Sequence, residues 1–163
     1  MADHFLSHGF RNHLFYSDAD NWIYPERGPA FTRILEAAGR STQWLRWHTS
    51  SAYRTDRKAW KRKRDWLAGE LKRAPKPLAV FAASDGLALE VLETCETAGI
   101  AVPENVAIIG AGNSLLAVDA MHTPISSVDT SMDLLGYRGA ALLADLMKGK
   151  PFPAAPVRLP VAG

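Results

Sequence analysis

The strongest constraint on this chain lies between residues 78 and 109, which read LAVFAASDGLALEVLETCETAGIAVPENVAII. An apolar run at 78–83 stops at Ser84-Asp85-Gly86. A helical pattern follows, with Ala88, Val91, Leu92 and Cys95 on one face, and Gly99 ends it. After Pro103 a second apolar run occupies 106–109. Strand, helix and strand in this order call for two parallel strands joined by a right-handed crossover. The rest of the chain repeats the alternation. A helix is predicted at 2–8 with Gly9 as its stop, a strand at 14–16, and a polar loop at 17–28. Phe31, Ile34, Leu35 and Ala38 mark a helix ending at Gly39, and a strand follows at 44–47. A basic helix over 56–73 is closed by Pro75 and Pro77. Beyond the central unit come an extended segment at 125–128 and a helix striped by Met132, Leu135, Gly139, Leu142 and Leu146. A short last strand is expected at 157–159. The fold class predicted is α/β, a doubly wound parallel sheet covered on both faces.

At 163 residues the chain can bury one real core. Its apolar fraction of 47% and charged fraction of 22% are those of a globular protein. No apolar run reaches the roughly 18 residues a membrane span needs, and no signal-peptide pattern opens the chain, so a cytoplasmic protein is expected. The single cysteine, Cys95, can form neither an internal disulfide nor a multi-cysteine metal site and reads as packing. Net charge is only +2, yet Arg54, Arg57, Lys58, Lys61, Arg62, Lys63 and Arg64 crowd one segment. That run reads first as a solvated helix face, partly neutralised by Asp56, Asp65 and Glu70, with a polyanion patch as the other reading.

Several catalytic designs are missing. There is no phosphate-cradling Gly-x-x-x-x-Gly-Lys loop and no Gly-x-Ser-x-Gly nucleophile elbow. His4 and His8 are four apart but have no third ligand nearby, so no metal is expected. Gly110-Ala111-Gly112 follows a strand but lacks the third glycine of a dinucleotide fingerprint, and no cofactor is expected. What remains is a set of polar and aromatic residues at strand ends. These are Asp18, Asp20, Trp22, Tyr24, Glu26 and Arg27 after the first, Trp47 and His48 after the second, Ser84 and Asp85 after the third, and Asn113 and Ser114 after the fourth. In a parallel sheet such ends share one edge, where ligands of open α/β sheets bind. A guanidinium, a carboxylate and an amide beside an aromatic ring suit a small polyhydroxylated ligand. For Asp85 the competing reading is a charge favoured at a helix start. For Trp22, Tyr24 and Trp47 it is local packing.

The segment AASDGLALEVLETCETAGIAVPENVAIIG resembles the effector-binding domain of lactose/galactose-type repressors, in which Asn/Thr-Asp and a helix precede G-x-x-V-P-x-D-V-x-V-I-G. PISSVDTSMDLLGYRGAALLADLMKGKPFP is similar to the family's next section, and ADHFLSHGFRNHLFY to its A-x-x-H-L-x-x-x-G motif. The resemblance covers nearly the whole chain in the right order. ISSV, GYRGAALLADLM and RLPVAG most resemble xylose-operon activators, which join this periplasmic-binding-protein-like sensor to an AraC-type DNA-binding domain. The resemblance implies a two-lobed sensor with sugar between the lobes, of which this chain would supply the second. Residues 1–127 with 154–163 would form that lobe, and 128–153 a crossover segment and helix packed on the first lobe. The chain is accordingly expected to be a fragment of a regulator. Carried over residue by residue, the sugar-contacting arginine falls on Arg27, the carboxylate after the third strand on Asp85, and a ring-stacking tryptophan on Trp47. The family's Asp after the fourth strand is replaced by Gly112, so either Asn113 beside it substitutes or the effector is not a typical pentose.

The resemblance therefore implies a non-enzymatic sugar sensor, for a pentose such as xylose, with DNA bound only through a domain absent from this chain. With its first-lobe cover missing, the helix stripe predicts a homo-oligomer. The alternatives are a solute-binding protein of a sugar transporter and a small nucleotide-dependent α/β enzyme.

Overall fold

A computed structural model describes residues 1–19, 25–48, 57–114 and 122–161. Five helices and five strands lie in these residues, in the order α1 (Ala2–Ser7), β1 (Asn12–Asp18), α2 (Arg27–Ala37), β2 (Thr42–Trp47), α3 (Arg57–Arg73), β3 (Leu78–Ala82), α4 (Asp85–Ala98), β4 (Val106–Ala111), β5 (Ser126–Val128) and α5 (Met132–Met147). The strands form one sheet of order β2-β1-β3-β4-β5, and every pairing is parallel. The chain moves outward from β1 to β2, then returns past β1 to β3. The switch point of the doubly wound sheet thus lies between β1 and β3, where the crevice of such folds opens.

Both faces of the sheet are covered. On one, Leu14, Tyr16, Val80 and Ile108 meet Leu67 and Leu71 of α3 and Val91, Leu92 and Cys95 of α4. On the other, Phe15, Phe81 and Ile109 meet Phe5 of α1 and Phe31 and Leu35 of α2. β3 is buried at every residue, as a central parallel strand should be. Local signals set the ends of α4. Ser84 accepts a hydrogen bond from the Leu87 amide at 3.3 Å, and Gly99 adopts the left-handed conformation that closes the helix.

Four differences from the sequence reading stand out. β1 and β2 are longer than the apolar runs that mark them, because pairing extends to polar residues at both ends of β1 and at the start of β2. α2 begins at Arg27, a turn before its first apolar residue. The strand expected at 157–159 does not form; residues 156–161 carry no regular structure, and Pro156 and Pro160 bracket the segment and withhold amide donors. Finally, α5 forms as expected but buries none of its residues, with Met132 59% and Leu135 50% exposed. Between α5 and the tail runs a groove of about 620 Å³ whose lining includes Leu135, Leu142, Phe152 and Pro153.

The basic helix also reads differently in three dimensions. Lys63 is 4% exposed and lies on the buried side of α3 with Ala59, Leu67 and Leu71. Lys58, Lys61 and Arg62 occupy the solvent side. Arg54, like Asp20, Trp22 and Tyr24, lies outside the described residues.

Candidate functional site

All four residues singled out from the sequence stand at the carboxyl edge of the sheet. Trp47 is the last residue of β2, Arg27 the first of α2, Asp85 the first of α4, and Asn113 follows β4 by two residues. The Arg27 guanidinium crosses the edge and donates from Nη1 to the Ala83 carbonyl at 2.5 Å, just beyond β3. It therefore spans the switch point.

Asp85 and Asn113 are brought together by a residue the sequence reading passed over. The Asp85 side chain is buried, and Oδ1 accepts the Ser127 hydroxyl at 2.5 Å. Oδ2 accepts the Ser114 amide at 2.8 Å. Ser127 in turn accepts the Asn113 amide at 3.0 Å. One carboxylate thus ties the start of α4 to the turn after β4 and to β5. Asn113 is held at φ +54°, a left-handed conformation that asparagine tolerates better than most residues. Asp85 is both a helix-start charge and the knot of this latch, with each oxygen engaged by the protein itself.

The latch explains the two glycines beside it. A Cβ on Gly110 would lie 2.4 Å from Asp85 Oδ1 and 3.1 Å from its Cα. A Cβ on Gly112 would lie 3.0 Å from Asp85 Oδ2, at φ +139°, a conformation disfavoured for side chains other than glycine. Restoring an acid at this place is therefore expected to damage the fold rather than add a ligand. Gly112→Asp and Gly110→Ala should each lower stability by about 1–3 kcal/mol, read by urea denaturation. Unchanged midpoints would show that the turn opens freely.

Trp47 sits on the α3 side of the sheet. Its ring lies 5.2 Å from that of Trp66 at 48°, and its indole N–H is buried with no acceptor among the described residues. Its partner in register on β1 is Asp18. Asp18 belongs to an ion cluster the sequence reading missed. The Lys63 ammonium lies 3.1 Å from Asp18 Oδ1 and 2.8 Å from Glu90 Oε2, with the Tyr16 ring centre at 5.7 Å. Burial acts against charge on this lysine, but the two carboxylates outweigh it and hold its pKa above the ordinary value. Burial raises the Glu90 pKa against the opposing pull of the Lys63 ammonium, and the nearby Asp18 charge adds to the rise. A signal for Lys63 existed: it lies four residues from both Ala59 and Leu67, on the apolar stripe of its helix.

A family model described as a periplasmic binding protein-like domain matches residues 2–162. The chain belongs to that family. The parallel sheet and its flanking helices are the periplasmic-binding-protein-like fold, and solved structures agree. The xylose-binding transcription activator xylR superposes with a TM-score of 0.75 at 23% identity, over 97% of this chain and 41% of that one. Among curated relatives, the HTH-type transcriptional regulator CelR of Thermobifida fusca is 42% identical over 89 residues, 55% of this chain and 25% of that protein. The xylose operon regulatory protein of Haemophilus influenzae is 31% identical over 101 residues, 62% and 26% respectively. The match thus spans about a quarter of the length of these two curated relatives, both transcription regulators. Among the described residues, no helix is long and apolar enough to cross a membrane.

Proposed function

We propose that this chain is one lobe of the sugar-sensing domain of a cytoplasmic transcription regulator. It carries out no catalysis itself, and DNA is bound through a domain outside it. One observation carries the reading: the family match runs over nearly the whole chain, and the relatives that share it are regulators, one of a xylose operon. The carboxyl edge supports it, since Arg27, Trp47 and Asn113 offer a guanidinium, a ring and an amide that suit a polyol. Arg27 and Asn113 are assigned to ligand contact, and Asp85 to holding the turn that presents Asn113. A pentose such as xylose is the effector class favoured.

In this reading residues 1–127 with 154–163 form the lobe, and 128–153 reach across to a partner lobe that supplies the other half of the cleft. A sugar in half a cleft stays largely wet. Titration of this chain with D-xylose and other monosaccharides should give dissociation constants no tighter than about 1 mM. Submicromolar affinity would overturn the two-lobed cleft.

The uncovered stripe on α5 carries a second expectation. Covering one large apolar side chain is worth about 1.5–3 kcal/mol, so the chain should self-associate through residues 130–148. Light scattering should report a dimer or larger species that Leu142→Glu dissociates. A wild-type chain that stays monomeric at high concentration would contradict this.

A further inference from the structure

α3 concentrates the positive charge of the chain. Eight of the 19 lysines and arginines lie in its 17 residues, against two of the 17 acids. Six of its first eight residues are basic, and its first turn holds no acid. Lys63 turns inward to Asp18 and Glu90, whereas Lys58, Lys61 and Arg62 are exposed. The Arg64 guanidinium lies 4.8 Å over the ring of the exposed Trp60. Of the two acids, Glu70 pairs with Arg73, and the exposed Asp65 offsets part of the charge of Lys61 and Arg62. The arrangement works against the helix itself. The amino end of a helix is the positive end of its dipole and favours acids. Lys58 stands three and four residues from Lys61 and Arg62, a spacing at which like charges face each other and repel. A local conflict of this kind is expected where a surface serves a partner rather than the fold.

We infer that the exposed face of α3, centred on Lys58, Lys61 and Arg62, is a contact surface for the phosphate backbone of duplex DNA. This goes beyond the proposed function, in which a domain outside this chain holds the DNA. Ammonium and guanidinium groups bind phosphate oxygens through charge-assisted hydrogen bonds. A helix presents such groups at intervals of about 5–6 Å on a rigid rod, and a duplex presents a dense, fixed array of phosphates to meet them. A lipid surface would need an apolar wedge beside the cations, and Trp60 is covered by Arg64. Backbone contact of this kind is weak alone and carries no sequence information. It becomes effective when another domain already holds the protein on DNA, because the second contact is then intramolecular.

The test is fluorescence anisotropy of this chain with a short mixed-sequence DNA duplex, from about 20 to 200 mM salt. Wild type should bind at the low-salt end with a dissociation constant of about 10⁻⁴–10⁻⁶ M, and log affinity should fall against log salt with a slope of about −3. Lys61→Glu with Arg62→Glu should weaken binding at least about tenfold and make the slope shallower by about 2. Lys61→Gln with Arg62→Gln should act in the same direction, and an unchanged urea midpoint for either pair shows that the fold is intact. Arg33→Glu with Lys148→Glu alters net charge equally on other exposed elements and should leave binding within about twofold of wild type. Absence of binding at low salt, or an equal loss in the control pair, would overturn the inference. So would equal or tighter binding of polyglutamate or of phosphatidylserine vesicles at matched charge, which would assign the face to an acidic protein or to a membrane. Each of these results leaves the sugar-sensing reading untouched, because no sugar takes part in the measurement.

Discussion

Replacing Lys63 with methionine should lower the stability of the chain by about 3–5 kcal/mol at neutral pH. The methionine fills much the same space, so the loss comes from charge. Glu90 lies against the buried lysine with its side chain 16% exposed, and Asp18 shares the same ammonium. Without it, the largely buried Glu90 carboxylate loses its cation while the half-exposed Asp18 carboxylate stays nearby. The pH dependence is a sharper check. The native Glu90 pKa is already raised by burial, so the folded state binds that proton more tightly than the unfolded state does. The group's contribution to stability therefore increases as pH falls from its native pKa towards the ordinary value of about 4.3. Removing Lys63 pushes that native pKa higher still and widens the window. The variant should recover part of its lost stability between pH 7 and pH 5, while wild type changes less. Lys63 has a raised native pKa, so its own contribution is intact below about 10.4 and is lost only as pH rises through the native value. Urea denaturation at both pH values measures this, with the exposed Lys61→Met as a control expected to stay within about 0.5 kcal/mol. A Lys63→Met loss below 1 kcal/mol, or one that does not change with pH, would show that the cluster is hydrated and unimportant to the fold.

The second large effect is expected at Asp85. Asp85→Ala removes the acceptor for the Ser127 hydroxyl and the Ser114 amide, two bonds made by a buried carboxylate. Each unsatisfied donor costs about 1–3 kcal/mol, so a loss of about 3 kcal/mol is expected, along with release of the turn that carries Asn113. Ser127→Ala breaks two bonds of the latch, to Asp85 and from the Asn113 amide, leaves the Ser114 bond in place and should cost about 1–2 kcal/mol. The ratio of the two tells a knot from an isolated helix-start charge. If Asp85→Ala costs no more than the 0.3–1 kcal/mol of a dipole interaction, the latch contributes nothing.

The sequence carried the fold well because its alternation is unambiguous where the core is deepest. The all-apolar run of β3, the striped face of α4 and the glycine at its end each specify one state. It failed at 157–159, where an apolar pair has the composition of a strand but prolines on either side cannot donate to a ladder. It underestimated β1 and β2, whose polar ends pair because neighbouring strands supply partners no local pattern reveals. The candidate site was legible as an edge but not as a set of roles. Asp85 could be placed at a helix start, yet nothing local shows that Ser127, forty-two residues later, claims one of its oxygens. Lys63 was hidden inside a charge run, although its spacing from Ala59 and Leu67 placed it on the buried stripe. Glu90 and Asp18 acquire their importance only from that lysine.

The proposed function requires that the carboxyl edge of this sheet receive a sugar. Mapping amide chemical-shift changes of the isotope-labelled chain during titration with D-xylose and related monosaccharides tests it most directly. Weak, saturable shifts are expected, confined to that edge at Asp18, Arg27, Trp47, Ser84 and Asn113, with none at the opposite edge around His13 and Leu78. Shifts centred on the opposite edge or on α5, or no shifts with any sugar, would contradict it.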